Sequence, residues 1–363
     1  MSRARDFADL AGAADAGGIT GKNVAINGAM QVNQRGDQST SAGSNTYFVD
    51  RFNVYIQATA AANLTQSTDV PSGQGFAYSA KIDVTTADTS VGASDLGLFR
   101  QVFEGQNVQQ LAYGTSSAKK LTLSFWVKSS KTGIHIIEFY NSASTARQQS
   151  QSYTISAADT WEYKTITIDG DTATAIDNTA NAEFYVQWVL YAGSNYTSGT
   201  LNTSWNNVTD ANRYVGQVNF FDSTSNNMFI TGVQLEVGEQ ATPFDHSESY
   251  GETLAKCQRY YWQVAGSGLL VGQGFYFSSS EVDCIVNFPQ TMRATPTFTS
   301  SNNSGDFGFM NNSDNFDTWT AQQFFDGSRV NVYTISGVSG TAGYSGYIRM
   351  LNSTSKIQFD AEL

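Results

Sequence analysis

Apolar and polar residues alternate along most of this chain with the period of β-strands. Residues 121–128 place Leu121, Leu123, Phe125 and Val127 on one strand face and Thr122, Ser124, Trp126 and Lys128 on the other. Residues 184–191 place Phe184, Val186, Trp188 and Leu190 opposite Tyr185, Gln187, Val189 and Tyr191. A side-chain period of two residues over such lengths predicts strands with one face in a core.

Further short strands are predicted along the whole chain, separated by turns rich in Gly, Ser, Asp and Asn. They lie at 51–58, 75–84, 98–103, 134–140, 152–155, 163–168, 214–221 and 228–237, and then at 259–264, 269–278, 282–288, 297–300, 330–335, 344–351 and 356–361. No strand alternates with a long amphipathic helix, which disfavours a parallel sheet. The predicted class is mainly β: a jelly-roll-like antiparallel β-sandwich, a smaller C-terminal β-sandwich and a short N-terminal helix.

The N-terminal helix is predicted over residues 3–16, where apolar residues recur at helical spacing before Gly17 and Gly18. A helix of about three turns is marginal alone in water and must dock on a partner. Residues 1–22 are therefore predicted to be an attachment helix or arm and 23–244 the jelly-roll domain. Residues 245–258 form a connector with a helical turn or two after 250, and 259–363 form the C-terminal β-domain.

Composition and charge exclude several classes of partner. Only 14% of residues are charged, 13% are aromatic, and the 20 Lys and Arg against 32 Asp and Glu give a net charge of −12. An acidic surface argues against binding to nucleic acid, because phosphate contacts need clustered basic residues. No stretch of about 18 apolar residues occurs, so membrane insertion is not expected.

Catalytic and metal-binding constellations are sparse. The chain has only two histidines, His135 and His246, which excludes a multi-histidine metal centre. No Gly-x-Ser-x-Gly motif occurs that would supply the nucleophile of a Ser-His-Asp triad. The carboxylate pairs Asp169 with Asp171 and Asp314 with Asp317 lie in turns, where Asp caps its own backbone. The chain is predicted not to be an enzyme and to need no cofactor, although its Asp-rich turns could hold a structural Ca²⁺.

The two cysteines lie inside apolar or aromatic runs. Cys257 and Cys284 are 27 residues apart. Such surroundings favour two buried free thiols over a disulfide, and nothing in their spacing indicates a zinc site.

Several segments in fixed order resemble phage and prophage tail-fibre-like proteins. These segments are SRARDFADL at 2–10, NGAMQVNQRG at 27–36, YFVDRF at 47–52, LTLSFWVKSS at 121–130, ITGVQLEVG at 230–238, ATPF at 241–244 and CQRYY at 257–261. Their order spans most of the chain. The resemblance implies a location on the virion, a carbohydrate-binding-module-like sandwich and a homotrimer, and it carries over no catalytic residues.

On this basis we expect a tail fibre or appendage that attaches the phage to a host cell-surface glycan. The residues predicted to fix it to another virion protein are Arg3, Arg5, Phe7 and Leu10 in the N-terminal segment. Two alternatives stay open: a capsid decoration or head-fibre protein with a mainly structural role, and a polysaccharide depolymerase.

Aromatic residues in loops are the sequence candidates for glycan contact, since exposed rings stack on the C–H groups of sugars. They are Tyr191, Tyr196 and Trp205 in the Gly-, Ser- and Asn-rich segment 191–212, and Phe316 and Trp319 in segment 311–320. The competing interpretation is that these rings fold back onto the core or onto a neighbouring subunit. Trp126, Trp161 and Trp188, which lie in or beside strands, are assigned structural roles.

Overall fold

A computed structural model of the chain describes residues 23–57, 59–310, 314–325 and 327–363. The contacts divide it into two units, one extending to Thr253 and including Leu363, the other covering Leu254–Glu362. The division falls within the predicted connector 245–258. The predicted attachment helix, with Arg3, Arg5, Phe7 and Leu10, lies outside the described residues.

The described part of the first unit is an antiparallel β-sandwich of two sheets. Its strands are β1 (Gln38–Ser39), β2 (Asn45–Tyr47), β3 (Phe52–Ile56), β4 (Ala61–Ser67), β5 (Ser79–Thr86), β6 (Leu96–Glu104), β7 (Leu121–Ser129), β8 (Gly133–Asn141), β9 (Arg147–Ile155), β10 (Glu162–Ile168), β11 (Ala182–Ala192), β12 (Asn206–Asn207) and β13 (Asn227–Val237). One sheet has the order β1-β4-β5-β13-β7-β10, and the other β12-β9-β8-β11-β6-β3-β2. This confirms the predicted antiparallel sandwich.

Helical segments in the described residues are short. The α-helices are α1 (Ser194–Thr197) and α2 (Tyr250–Gln258), and single 3₁₀ turns lie at Gly105–Asn107, Gln109–Leu111, Asp210–Asn212 and Phe220–Asp222. The helix predicted after residue 250 is confirmed. No helix in the described ranges has the length and apolar character needed to cross a membrane.

The described part of the second unit is a smaller set of antiparallel sheets. Its strands are β14 (Tyr261–Ala265), β15 (Leu270–Ser278), β16 (Glu281–Asn287), β17 (Thr297–Ser300), β18 (Phe307–Phe309), β19 (Asp314–Phe316), β20 (Thr320–Phe325), β21 (Arg329–Thr334), β22 (Ser345–Met350) and β23 (Lys356–Asp360). They form sheets of order β14-β23-β17 and β19-β18-β22-β15-β16-β21-β20. Cys257 and Cys284 are buried thiols that form no disulfide, as predicted.

Aromatic rings from facing strands fill the core of the first unit. Trp188 on β11 is fully buried and lies 5.5 Å, centroid to centroid, from both Phe99 and Phe125. Phe125 belongs to the six-stranded sheet and the other two rings to the seven-stranded sheet. The indole therefore joins the two layers, and its contacts contribute beyond the area that the three rings bury.

His135 is a titratable group inside this core. It lies on β8, is fully buried and stacks on Tyr153 with ring centroids 5.5 Å apart. Its Nε2 lies 3.3 Å from the carbonyl oxygen of Lys131. Burial, more than any other influence, lowers the pKa of His135 to about 4, against a small opposing effect of that carbonyl.

The lowered pKa of His135 predicts an acid-dependent loss of stability. Between about pH 6.5 and 4 the unfolded imidazole is protonated and the folded one is not, so the free energy of unfolding falls as the pH falls. The loss reaches roughly 3 kcal/mol at the low end of this range. Urea unfolding measured at several pH values in this range should show that the free energy of unfolding changes less with pH in His135→Leu than in the wild type. His246→Leu is the control for losing an imidazole. An equal pH dependence in wild type and His135→Leu would contradict the assignment.

Candidate functional site

A groove runs over the outer face of the six-stranded sheet of the first unit. The inward residues of β7 are fully buried, so alternation turns Ser124 and Trp126 outward. Tyr163 on β10 lies directly opposite Trp126 in the antiparallel register, and their ring centroids are 5.2 Å apart. Trp126 is half-buried and Tyr163 is 43% exposed. These two rings form one wall of the groove.

The other wall comes from the segments before β5 and after β13. Phe76 lies 5.0 Å from Phe244, and His246 lies 5.1 Å from Phe76 and 4.8 Å from Phe244, all measured between ring centroids. Phe76 is buried beneath the other two rings, whereas Phe244 is half-buried and His246 is exposed. The groove is thus bounded by aromatic rings on both sides.

Gly232 forms the floor between the two walls. It lies in β13, where the pairing with β7 shifts register between Thr231 and Gln234, and its φ is +61°. A Cβ at this position would lie 2.6 Å from Cζ of Phe76 and 3.2 Å from Cδ1 of Trp126. Glycine is required here both for the left-handed backbone and for the close approach of the two rings.

Two polar side chains of β13 hold the segment after the strand against the sheet. Gln234 is fully buried, accepts a hydrogen bond from the Asp245 amide at 2.8 Å and donates to the carbonyl of Thr242 at 3.2 Å. Glu236 accepts from the amide and the hydroxyl of Thr242, both at 2.8 Å. The paired hydrogen bonds satisfy these buried groups. They position Phe244 and His246, which lie two and four residues after Thr242, on either side of Asp245.

The groove has a volume of about 460 Å³, within the usual range for small-molecule sites. Its lining residues are Gly73, Gln74, Phe76, Ser124, Trp126, Tyr163, Gly232, Ala241, Thr242, Pro243, Phe244 and His246. Among the described residues, the Ser124 hydroxyl, the Trp126 Nε1 and the Tyr163 hydroxyl have no hydrogen-bond partner. The site therefore offers ring faces together with unused donors and acceptors.

A second aromatic cluster continues along the same sheet face. Lys128, two residues beyond Trp126 on β7, has its Nζ 4.3 Å from the ring centroid of Phe229 and 5.6 Å from that of Trp161. Asp69 accepts hydrogen bonds from Lys128 and, at 3.1 Å, from Trp161 Nε1. Burial acts to raise the pKa of Asp69, but these two hydrogen bonds together with the positive charges of Lys128 and Lys81 outweigh it and hold that pKa below its ordinary value. The outer face is thus aromatic beyond the groove.

Three of the predicted glycan-binding residues are buried, so the prediction of exposed ring faces for them is wrong. Tyr191 is fully buried in β11 and packs on Phe221 at 5.0 Å between centroids. Phe316 and Trp319 are 1% and 7% exposed and pack edge to face at 4.6 Å inside the second unit. A ring enclosed in this way has no face open to a sugar.

Tyr196 and Trp205 are half-buried and lie away from the groove. Tyr196 packs on Tyr214 at 5.9 Å between centroids, and Trp205 packs on Tyr113 at 5.6 Å. Trp205 also donates through Nε1 to the carbonyl of Asp169 at 2.7 Å. These contacts fold both rings back onto the domain, as the competing interpretation expected. Their role in ligand binding stays a prediction.

Three of the four carboxylates considered as pairs from the sequence accept hydrogen bonds from backbone amides, and only that of Asp171 does so within its own turn. Asp171 accepts from the Ala173 amide at 3.0 Å, and Asp314 accepts from the Ser339 amide at 2.7 Å. Asp317 accepts from the Gly305 amide at 2.6 Å. No group of three or more His, Cys, Asp or Glu residues in the described ranges is placed to hold a metal ion.

The sequence pattern indicates part of the groove. The alternation of residues 121–128 already placed Ser124, Trp126 and Lys128 on one face, and Tyr163 began a predicted strand. The position of Trp126 within a strand nevertheless predicts a structural role for it. The contribution of Phe244 and His246 had no sequence signal, since it depends on the segment after β13 folding back over the sheet.

Comparisons with known proteins give remote similarities only. The chain matches no protein-family model and no curated protein. Among solved structures, the enzymatically active domain of tailspike protein 4 of bacteriophage CBA120 is 14% identical, with 60% of this chain and 21% of that one covered at a TM-score of 0.32. This chain therefore spans about a fifth of the tailspike domain.

Two carbohydrate-binding modules are also similar. A family 11 module from Clostridium thermocellum, solved with a β-1,3-1,4-mixed-linked tetrasaccharide, is 13% identical, with 57% of this chain and 98% of the module covered at a TM-score of 0.27. The TmCBM61 module, solved with β-1,4-galactotriose, is 11% identical, with 60% and 99% covered at a TM-score of 0.28. Scores this low carry no functional assignment, so the function is argued from this chain's own residues.

The close approach at the groove floor predicts that Gly232→Ala is costly. A left-handed alanine costs about 1–2 kcal/mol, and overlap with Phe76 and Trp126 adds to it. Gly43→Ala is the matched control, because Gly43 has a φ of +72° and open space around it. Urea unfolding should show a larger loss of stability for Gly232→Ala than for Gly43→Ala. Equal losses would show that the groove floor tolerates a methyl group.

Proposed function

We propose that this chain is a phage fibre or appendage protein whose first unit binds a host cell-surface glycan in the groove over the six-stranded sheet. The observation that carries the glycan half of the proposal is the pair of aromatic walls, Trp126 with Tyr163 and Phe76 with Phe244, around a volume of about 460 Å³. The virion half rests on the ordered sequence resemblance to tail-fibre-like proteins.

The chemistry of the groove suits a sugar ring. The C–H groups of a pyranose carry partial positive charge and pack on the electron-rich faces of Trp126 and Tyr163. The unused Tyr163 hydroxyl and Trp126 Nε1 supply an acceptor and donors for sugar hydroxyls, with no bond inside the protein to break first. Ser124 also lines the groove but is only 2% exposed. An apolar site with a few converging polar groups is the usual form of a small-ligand site.

The same lining favours binding over hydrolysis. A glycosidase of the common kind needs two carboxyl groups flanking the scissile bond. No Asp or Glu is among the described residues that line the groove. We therefore keep the expectation that the protein is not an enzyme, and we treat depolymerase activity as the outcome that would overturn it.

Attachment in this proposal relies on several weak sites acting together. A homotrimer presents three grooves, and linked sites raise the overall avidity without tight individual binding. The N-terminal segment around Phe7 and Leu10 is proposed to fix the trimer to another virion protein, because so short a helix needs a partner.

The binding site is tested with two groove variants and a control from the other sheet. Trp126→Ala and Tyr163→Ala should each weaken binding to host surface oligosaccharides about tenfold, the effect of losing roughly 1.4 kcal/mol of ring contact. Tyr55→Ala is the control, since Tyr55 is a half-buried tyrosine on β3 in the seven-stranded sheet. Titration of each variant with a glycan chosen from an array measures the affinities.

Unchanged affinity in both groove variants would remove the groove from the proposal. The same samples, incubated with host polysaccharide, test for hydrolysis through the release of reducing ends. Sustained release would favour the depolymerase alternative over the binding protein.

The proposed location is tested on intact phage particles. Labelled antibodies against this chain should mark the tail or its appendages, as the resemblance to tail-fibre-like proteins predicts. Label confined to the head would favour the alternative of a capsid decoration or head-fibre protein. Antibodies against a known capsid protein of the same phage provide the reference pattern.

A further inference from the structure

A polar pocket lies at the β12 edge of the seven-stranded sheet of the first unit, where residues 199–213 fold against β9. Its volume is about 360 Å³, within the usual range for small-molecule sites. We call it the asparagine pocket. The described residues that line it, none of them aromatic, are Arg147, Asn202, Asn206, Asn207, Thr209 and Asn212.

Backbone hydrogen bonds hold the walls of the asparagine pocket in place. The Ser150 amide on β9 donates to the carbonyl of Asn202 at 2.7 Å, and the Asn202 amide donates to the carbonyl of Asn212 at 3.0 Å. β12 pairs with β9, and Asn206 lies opposite Gln148 in the register. The pocket is therefore preformed, so little conformational entropy is lost when a ligand enters it.

The side chains that line the pocket carry polar groups that the described part of the chain leaves unused. Neither end of the Asn202 amide and neither role of the Thr209 hydroxyl has a hydrogen-bond partner there. Asn207 accepts through Oδ1 from Arg147 Nη1 at 3.0 Å, and Asn212 accepts through Oδ1 from a backbone amide at 2.9 Å. Each of these two side chains is thus fixed at its oxygen, while its Nδ2 stays available to donate to a ligand.

Two buried polar groups without partners lie on the sheet beside the pocket. The Gln148 amide and the Ser150 hydroxyl are fully buried, and neither has a hydrogen-bond partner among the described residues. Alternation puts Gln148 and Ser150 on one face of β9, and the register puts Asn206 on that same face. Such groups are rare in folded proteins, because a buried polar group without a partner destabilises the fold. Their position beside the unused amides points to a region that binds polar groups.

The two segments that form the pocket contain three charged residues, Arg147, Asp210 and Arg213. Arg147 Nε lies 2.9 Å from Oδ1 of the fully buried Asp171, and its other two nitrogens donate to neutral oxygens at 3.0 and 2.9 Å. Arg213 donates two hydrogen bonds of 2.8 Å to the buried Glu138, and Asp210 lies 3.4 Å from its Nη1. An anion would have to displace one of these partners, whereas a neutral ligand would not.

We propose that the asparagine pocket is a second ligand site, which binds a neutral sugar through its hydroxyl groups. A sugar hydroxyl both donates and accepts, and an Asn side chain presents a carbonyl oxygen and an amino group side by side. Asn202 can therefore bind two neighbouring hydroxyls, while Asn207 and Asn212 donate to further oxygens of the sugar. The inference is independent of the proposed function of the groove, which lies on the other sheet and acts through ring faces.

The test is titration of the full chain with simple sugars, followed by saturation-transfer NMR. The probes are glucose, galactose and mannose, with glucuronate and galacturonate as charged counterparts. At least one neutral sugar should bind, and Asn202→Ala and Thr209→Val should each weaken its binding about three- to tenfold, as loss of one hydrogen bond does. Asn63→Ala is the matched control, because Asn63 is an exposed asparagine on β4 in the six-stranded sheet. Circular dichroism should report unchanged folding for all three variants.

A groove variant carrying both Trp126→Ala and Tyr163→Ala separates this site from the groove, and it should bind the neutral sugar as the wild type does. The inference is overturned if no neutral sugar binds, if Asn202→Ala and Thr209→Val bind like the wild type, or if the groove variant loses the binding. Equal affinity for glucuronate or galacturonate would contradict the neutral class of ligand. Unchanged affinity of the groove variant for host oligosaccharides would contradict only the proposed function.

Discussion

The contact between Phe125 of one sheet and Trp188 of the other is the interaction on which the first unit depends. It sets which face of each strand turns inward, because residues alternate along a strand and a slip of one position would expose the whole core face. Once Phe125 is inside, Ser124, Trp126 and Lys128 must face outward on β7. The same constraint that builds the core therefore also builds the aromatic wall of the groove.

The groove departs from regular sheet geometry at β13, and the departure is compensated locally. The register shift at Gly232 disturbs the pairing with β7, and two polar side chains, Gln234 and Glu236, are buried beyond it. Burying either polar side chain lowers the stability of the fold unless its hydrogen bonds are made. The segment around Thr242 and Asp245 supplies those bonds and in doing so places Phe244 and His246 over the sheet. Fold stability and site geometry are thus coupled through the same few hydrogen bonds.

The sequence was informative where alternation was strict and misleading where it was interrupted. β7 and β11 were predicted closely, because large apolar residues mark every second position. β4 was missed, since Ala62 and Leu64 are its only fully buried residues and neither marks a strand by type. Strict alternation over residues 184–191 puts Tyr191 on the strand face opposite Phe184 and Trp188, but a register shift between Val189 and Tyr191 turns it inward. A β-bulge of this kind turns the later side chains of the strand to the opposite face, and the residue types give no sign of it.

Long-range packing accounts for the other misplaced aromatic residues. Phe316 and Trp319 lie among Asn and Asp residues typical of an exposed loop, yet β19 pairs with β18 and Phe316 comes opposite Phe307 in the register. Trp205 and Tyr196 are likewise drawn back by Tyr113 and Tyr214. Phe307, Tyr113 and Tyr214 lie outside the two polar segments, so the composition of those segments carries no information about them.

A buried ion pair explains why the open face of the first unit is that of the six-stranded sheet. Residues Leu98, Ile136 and Val189 would leave the other sheet with an apolar outer face, but the chain around Tyr214 packs over them. Glu138, fully buried on that sheet, receives two hydrogen bonds from Arg213, both of 2.8 Å, and one from Tyr214 of 2.9 Å. Since burial of one charge without the other costs several kcal/mol, roughly 3–5, the covering segment is held in place. On the six-stranded sheet, the segment held by Gln234 and Glu236 covers only one side of the groove, and Trp126 and Tyr163 on the other side keep part of their surface exposed.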